Sequence, residues 1–208
     1  EGLYRVSADS KKKARIPRFY STQMQVMINT LNNMPLSDNR VSGSQGVSVL
    51  MANSLMFQRS PQPVEGYDDP QLSNFYGEAL PLLKRGIPVS IMHIENTGYA
   101  DTWKNTKVLL MSYSNMKPLD AEYHKHIAQW VADGGQLIRD DDPYQSVLEW
   151  WNQNGNEYKT PSEHLFELMG MPRDAAEGTY EYGKGKVYVL RHDPKEYVLK
   201  KGGDAKLM

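Results

Sequence analysis

The 208-residue chain contains no cysteine. That absence excludes thiol nucleophiles, disulfides and thiolate metal centres whatever the fold turns out to be. Net charge is also nearly absent: 24 Lys and Arg stand against 25 Asp and Glu, for a formal −1 at pH 7. Apart from Lys11, Lys12 and Lys13 the basic residues are scattered. No field of one sign gathers nucleic acid, and no nucleic-acid partner is expected. No apolar run approaches the roughly 20 residues that span a bilayer, and the first residues hold no apolar signal-peptide core. A membrane partner is not expected either. Glycines are missing where two common chemistries need them. "GVSVLMANSLM" (46–56) has none after its first residue, which argues against a Rossmann or P-loop phosphate cradle. "SYSNM" (112–116) lacks the flanking glycines of a nucleophile elbow, which argues against a serine triad. No cofactor is expected.

What is present is aromatic and periodic. Thirteen Tyr and four Trp in a weakly charged chain suit either an ordinary core or contact with neutral polar ligands and partner surfaces. Residues 1–15 are polar and basic without a period, and 34–45 are rich in turn formers. Between them, 18–33 places Tyr20, Met24, Met27, Ile28 and Leu31 on one helical stripe behind Pro17, as expected of a docked helix. Residues 1–45 therefore read as an arm, a docked helix and a linker.

From Gly46 the pattern becomes regular. Strands are expected at 46–53, 87–96, 107–114 and 136–142, and helices at 71–86, 118–133, 144–155 and 161–170. A C-terminal hairpin is expected around Gly183, Lys184 and Gly185. In the second helix Leu72, Phe75, Tyr76, Leu80 and Leu83 are expected on the buried face. In the third, Leu119, Tyr123, Ile127, Trp130 and Val131 form the apolar stripe. Alternating strands and helices specify an α/β fold over 46–208: a three-layer, flavodoxin-like domain with a mostly parallel sheet and helices on both faces.

In such a sheet a ligand sits beyond the carboxyl ends of the strands, where strand order reverses. The loops there offer Asn53, Ser54, Gln58 and Arg59; Glu95 and Asn96; Tyr113, Ser114 and Asn115; and Asp140, Asp141 and Asp142. Of these, Asn53, Gln58, Arg59, Glu95, Tyr113, Ser114, Asn115, Asp140 and Asp141 are the candidate ligand-binding set. Glu95 and Asp140 or Asp141 form an acid–base pair only if they face one cleft. The three aspartates carry oxygen ligands for Mg²⁺ or Ca²⁺, but neighbours on a strand end diverge, and Asp142 before Pro143 reads as a helix N-cap. His124 and His126 lie about 200° apart on their helix and cannot share a metal. Tyr67, Tyr99, Trp103 and Tyr113 are candidate exposed aromatics.

Two short runs carry a resemblance. "V-x-x-G-G-x-L" is met by Val131, Gly134, Gly135 and Leu137, and "G-K-G-x-V" by Gly183, Lys184, Gly185 and Val187. With the strand "KVLLMSYS" they make residues 46–192 resemble the class I glutamine-amidotransferase-like fold, as used in the middle, trimerisation-type domain of bacterial β-galactosidase-like glycoside hydrolases. The resemblance implies a position for a nucleophilic cysteine after the third strand. Here that position falls on a loop without cysteine, so amidotransferase activity does not carry over. It further implies a non-catalytic accessory domain and a helix at 15–35 leading from an upstream catalytic domain. The implied partners are that domain or neighbouring subunits and carbohydrate. A periplasmic or extracellular location follows if the parent is a secreted glycosidase. A free-standing hydrolase built on the strand-end carboxylates and a metal-dependent binding domain stay open as alternatives.

Overall fold

The computed structural model describes residues 4–6, 13–15, 17–34, 44, 46–57, 70–142 and 158–208. The chain divides into two compact units, Glu1–Val41 and Ser42–Met208. In the first, β1 (Tyr4–Val6) pairs antiparallel with β2 (Lys13–Arg15), and α1 runs over Arg18–Asn33. The helix spans the residues expected from its period. Within its own unit the helix buries none of its residues, and Tyr20, Met27, Ile28 and Leu31 are 46–61% exposed. Helix propensity and local hydrogen bonds suffice to form 16 residues of helix, but they do not determine what covers its apolar face.

The second unit is the expected α/β domain. Its strands are β3 (Val47–Met51), β4 (Ser90–His93), β5 (Val108–Met111), β6 (Gln136–Arg139), β7 (Gly178–Tyr182) and β8 (Gly185–Val189). They form one sheet in the order β4-β3-β5-β6-β8-β7, all parallel except β7, which pairs antiparallel with β8. The helices are α2 (Phe75–Lys84), α3 (Ala100–Trp103), α4 (Glu122–Ala132), α5 (Pro161–Leu168) and α6 (Lys195–Leu199). The expected helix at 144–155 lies outside the described residues.

Strand order explains the layers. The chain steps from β3 outward to β4 in one direction, then crosses back over β3 to β5 and on to β6 and β8 in the other. Right-handed crossovers therefore place α2 on one face and α3, α4 and α5 on the opposite one. Beneath α2 lie Val49 and Leu110, packed on its Ala79 and Leu82. Beneath α4 and α5 lie Leu109, Leu137 and Val187, packed on Ile127, Val131, Leu165 and Phe166. Side chains alternate across each strand, so Leu109 and Leu110 serve different cores. This is why the central strands read as unbroken apolar runs.

One expected helix face, that of α2, is rotated, while most of the α4 stripe holds: Ile127 and Val131 are buried, Tyr123 and Trp130 pack against the core, and Asp120, Glu122 and Lys125 are exposed. On α2 the buried residues are Gly77, Glu78, Ala79, Pro81 and Leu82, whereas Tyr76, Leu80 and Leu83 are exposed. On α4 they are His124, Ile127, Ala128 and Val131; Leu119, ahead of the helix, is exposed and Tyr123 half-buried. In both cases a polar residue, Glu78 or His124, occupies a core position that an apolar stripe passes over.

The two motifs behind the resemblance meet in one joint at the amino ends of the strands. Lys184 N–H donates to Ala132 O (2.8 Å) and Lys186 N–H to Gly135 O (3.2 Å). A Cβ on Gly185 would stand 2.2 Å from both Gly135 O and Val131 O, and Gly183 has φ +59 against the Ala132 backbone. These glycines let the hairpin turn close onto the end of α4. Their role is packing, on the far side of the sheet from the strand-end loops.

Candidate functional site

Strand order reverses between β3 and β5, so a ligand crevice belongs beyond the ends of these two strands. The loops there are joined to each other. Ser54 Oγ donates to Lys117 O (2.9 Å) and accepts from Lys117 N–H (2.7 Å), and Ala52 N–H donates to Met116 Sδ (3.2 Å). These contacts, spanning more than 60 residues of sequence, tie the loops after β3 and β5 to each other.

The loop after β5 is buried throughout. Ser112, Tyr113 and Ser114 are 0% exposed. Ser112 Oγ donates to Asp141 O (2.8 Å) and accepts from Ser114 N–H (3.0 Å), while Asn74 Nδ2 donates to Ser114 O (2.9 Å). Asn115 turns the chain with φ +56, a left-handed conformation that Asn tolerates better than most residues. Tyr113 Oη lies 2.8 Å from His124 Nε2, and His124 Nδ1 2.8 Å from His164 Nδ1. Burial holds the His124 pKa well below its ordinary value, with His164 and Arg139 acting in the same direction. The Ser112 and Tyr113 hydroxyls are thus bonded into the scaffold, whereas Ser114 Oγ is buried with no hydrogen-bond partner among the described residues.

Beyond β6 the three aspartates diverge. Asp140 is buried beneath α6, where Tyr197 Oη donates to its Oδ1 (2.7 Å). Asp141 pairs at the surface with Arg191 (3.0 Å). The helix that Asp142 is expected to cap lies outside the described residues, and the contacts that Asp142 makes among them are of another kind. Its Oδ1 accepts from Tyr113 N–H, and its Oδ2 accepts from Arg139 and from Ser162 Oγ (2.9 Å). Arg139 Nε in turn donates to Ser162 Oγ (2.7 Å). Both Asp142 oxygens thus serve a buried ion pair that fastens β6, the β5 loop and α5 together.

Glu78 completes this interior. It projects from α2, is 0% exposed, and neither carboxylate oxygen has a hydrogen-bond partner among the described residues. Burial raises its pKa well above the ordinary value, and the Asp140 charge raises it further. Burial also raises Asp140, to about 7, against the lowering effects of Tyr197 and Arg139. Asp142 is raised as well, because desolvation outweighs the Arg139 charge. An unpaired buried carboxyl escapes the cost of a buried charge by holding its proton.

Of the residues expected to line one cleft, Asn53 and Glu95 do meet, with Asn53 N–H donating to Glu95 Oε1 (2.8 Å). Tyr113, Ser114 and Asn115 share the sealed loop, and Gln58 and Arg59 lie outside the described residues. Glu95 and Asp140 belong to different places. β4 and β6 are separated by two strands, so their ends stand about 14 Å apart at ~4.8 Å per strand. The carboxylates of glycosidases are about 5–10 Å apart. Among the aromatics, Trp103 is stacked on Trp130 with ring centroids 5.1 Å apart and donates through Nε1 to Thr97 O (2.8 Å). Tyr99 is exposed, and Tyr67 lies outside the described residues.

The participants passed over in the sequence are Glu78, Arg139, Ser162 and the His124–His164 pair. For Glu78 a signal existed: it sits three residues after Phe75 and four before Leu82, the spacing of a buried stripe. No family model matches the chain, and no curated protein matches it.

Proposed function

We propose that the chain is a non-catalytic α/β accessory domain of a carbohydrate-active enzyme, acting through its surfaces in inter-domain or subunit packing and in sugar contact. One observation carries the non-catalytic part: the loop at which related α/β architectures place a nucleophile is buried from Ser112 to Ser114, with the Ser112 hydroxyl bonded to Asp141 O and the Tyr113 hydroxyl against His124. The packing part is supported by the apolar stripe of α1, which includes Met27, Ile28 and Leu31, on a helix that carries no charge after Arg18. A contiguous apolar face of that kind on a soluble chain marks an interaction surface. The carbohydrate part rests on the resemblance of residues 46–192 together with the neutral, amide- and hydroxyl-rich surface.

Sedimentation velocity over a range of protein concentrations tests the packing role. Concentration-dependent association is expected, weakened in the Met27→Glu, Leu31→Glu double variant. A monomer indifferent to both substitutions would contradict packing through α1 of neighbouring subunits.

A further inference from the structure

A polar pocket of about 270 Å³ lies at the free edge of the sheet, between β4 and the segment that carries α3. It shares Asn96 with the loop after β4 but is separate from the loops after β3, β5 and β6. Its floor is a hydroxyl pair, Ser48 Oγ and Thr106 Oγ1 at 2.9 Å. Around the mouth stand two exposed amides, Asn96 and Asn105, and one exposed carboxylate, Asp101. Ile91, 52% exposed on the edge strand, supplies an apolar patch. Because β4 is the edge, one side of its backbone is unpaired by the sheet and faces outward.

This composition selects a ligand class. No Lys or Arg lines the pocket; its one basic group is the His93 imidazole, whose Nδ1 lies 3.9 Å from Glu95 Oε2, and Asp101 stands at the mouth, so a phosphate or carboxylate ligand is poorly neutralised there. Amides offer both donors and acceptors, and a carboxylate accepts two hydroxyl protons at once. Adjacent hydroxyls on a ring match such a set, and a C–H face matches Ile91. The volume falls below the ~300–1,000 Å³ of sites for drug-sized ligands, which limits the occupant to about one ring.

We propose that this edge pocket binds a single neutral sugar ring, held by Asn96, Asp101 and Asn105. The inference rests on the carbohydrate reading above and gives it a location. Titration of the ¹⁵N-labelled chain with galactose, glucose and mannose at millimolar concentrations tests it, with amide shifts followed by NMR and Trp103, on the neighbouring turn, followed by fluorescence. Saturable shifts are expected at Ile91, Asn96 and Asn105. Asp101→Asn and Asn105→Ala, both at exposed positions, should each weaken binding at least tenfold while the rest of the spectrum stays native. Shifts confined to the loops after β3 and β5 would overturn the location and leave carbohydrate binding standing. Saturation by methylammonium in place of sugars would overturn the ligand class. No response to any sugar would overturn both the pocket and the sugar part of the proposed function, with the packing role judged separately by sedimentation.

Discussion

At the scale of single residues, the interior around Glu78 and Asp140 has a thermodynamic consequence. Asp140 titrates at an ordinary value of 3.8 when unfolded and at about 7 in the fold. Between these limits the folded state binds more protons than the unfolded one, so this group's contribution is fully favourable below about pH 4 and is lost as pH rises through 7. Glu78 acts in the same direction. Asp140→Asn keeps the Oδ1 acceptor for Tyr197 and removes the ionisation. The variant should gain stability over the parent as pH rises from 4 to 8, by on the order of a few kcal/mol at the upper end, since each pKa unit is worth about 1.4 kcal/mol. Urea midpoints for both proteins across that range check the sign; a constant difference would remove the raised titration. These environments were not legible in sequence. Asp140 and Asp141 are adjacent and chemically identical, yet one lies beneath Tyr197, 57 residues away, and the other against Arg191. Only the folded neighbours distinguish them.

At the scale of elements, periodicity located the helices but misjudged which side of α2 faces inward. Stripe counting gives weight to apolar residues alone, so it set aside Glu78 on α2 and His124 on α4, both of which are buried. Leu82 on α2 is buried while Leu80 and Leu83, on the face read as internal, are open to solvent. Leu82→Ala should therefore cost about 2–5 kcal/mol, and Leu80→Ala within about 0.5 kcal/mol of nothing. Thermal melts of the two variants distinguish the rotated face from the expected one; the reverse order of damage would restore the latter. The glycine runs were legible as motifs and proved to be a mechanical joint. Gly185→Ala would push a methyl to 2.2 Å from two backbone carbonyl oxygens, and a loss of about 1–3 kcal/mol is expected from such overpacking. Two elements, α3 and α6, had no signal at all, because helices of four or five residues complete barely more than one turn.

At the scale of the whole molecule, the strand–helix alternation sufficed to specify a mostly parallel sheet with helices on both faces and a terminal hairpin. The sheet follows from buried β-branched runs such as "GVSVL" and "KVLLM", each too short for a helix. What alternation does not encode is whether the strand-end crevice is open. That depends on loop-to-loop bonds such as Ser54 to Lys117, made across 63 residues. Here those bonds tie the loops after β3 and β5 together, and the position at which a nucleophile would sit is buried. The proposed function therefore places the chain's contribution on its surfaces, in the apolar stripe of α1 and the polar pocket at the β4 edge. The most direct measurement is turnover by the purified chain of aryl-glycosides and of glutamine, with Ser112→Ala and Ser114→Ala measured alongside. Rates equal to buffer for all three proteins are predicted. Hydrolysis by the parent that either substitution abolishes would contradict the account.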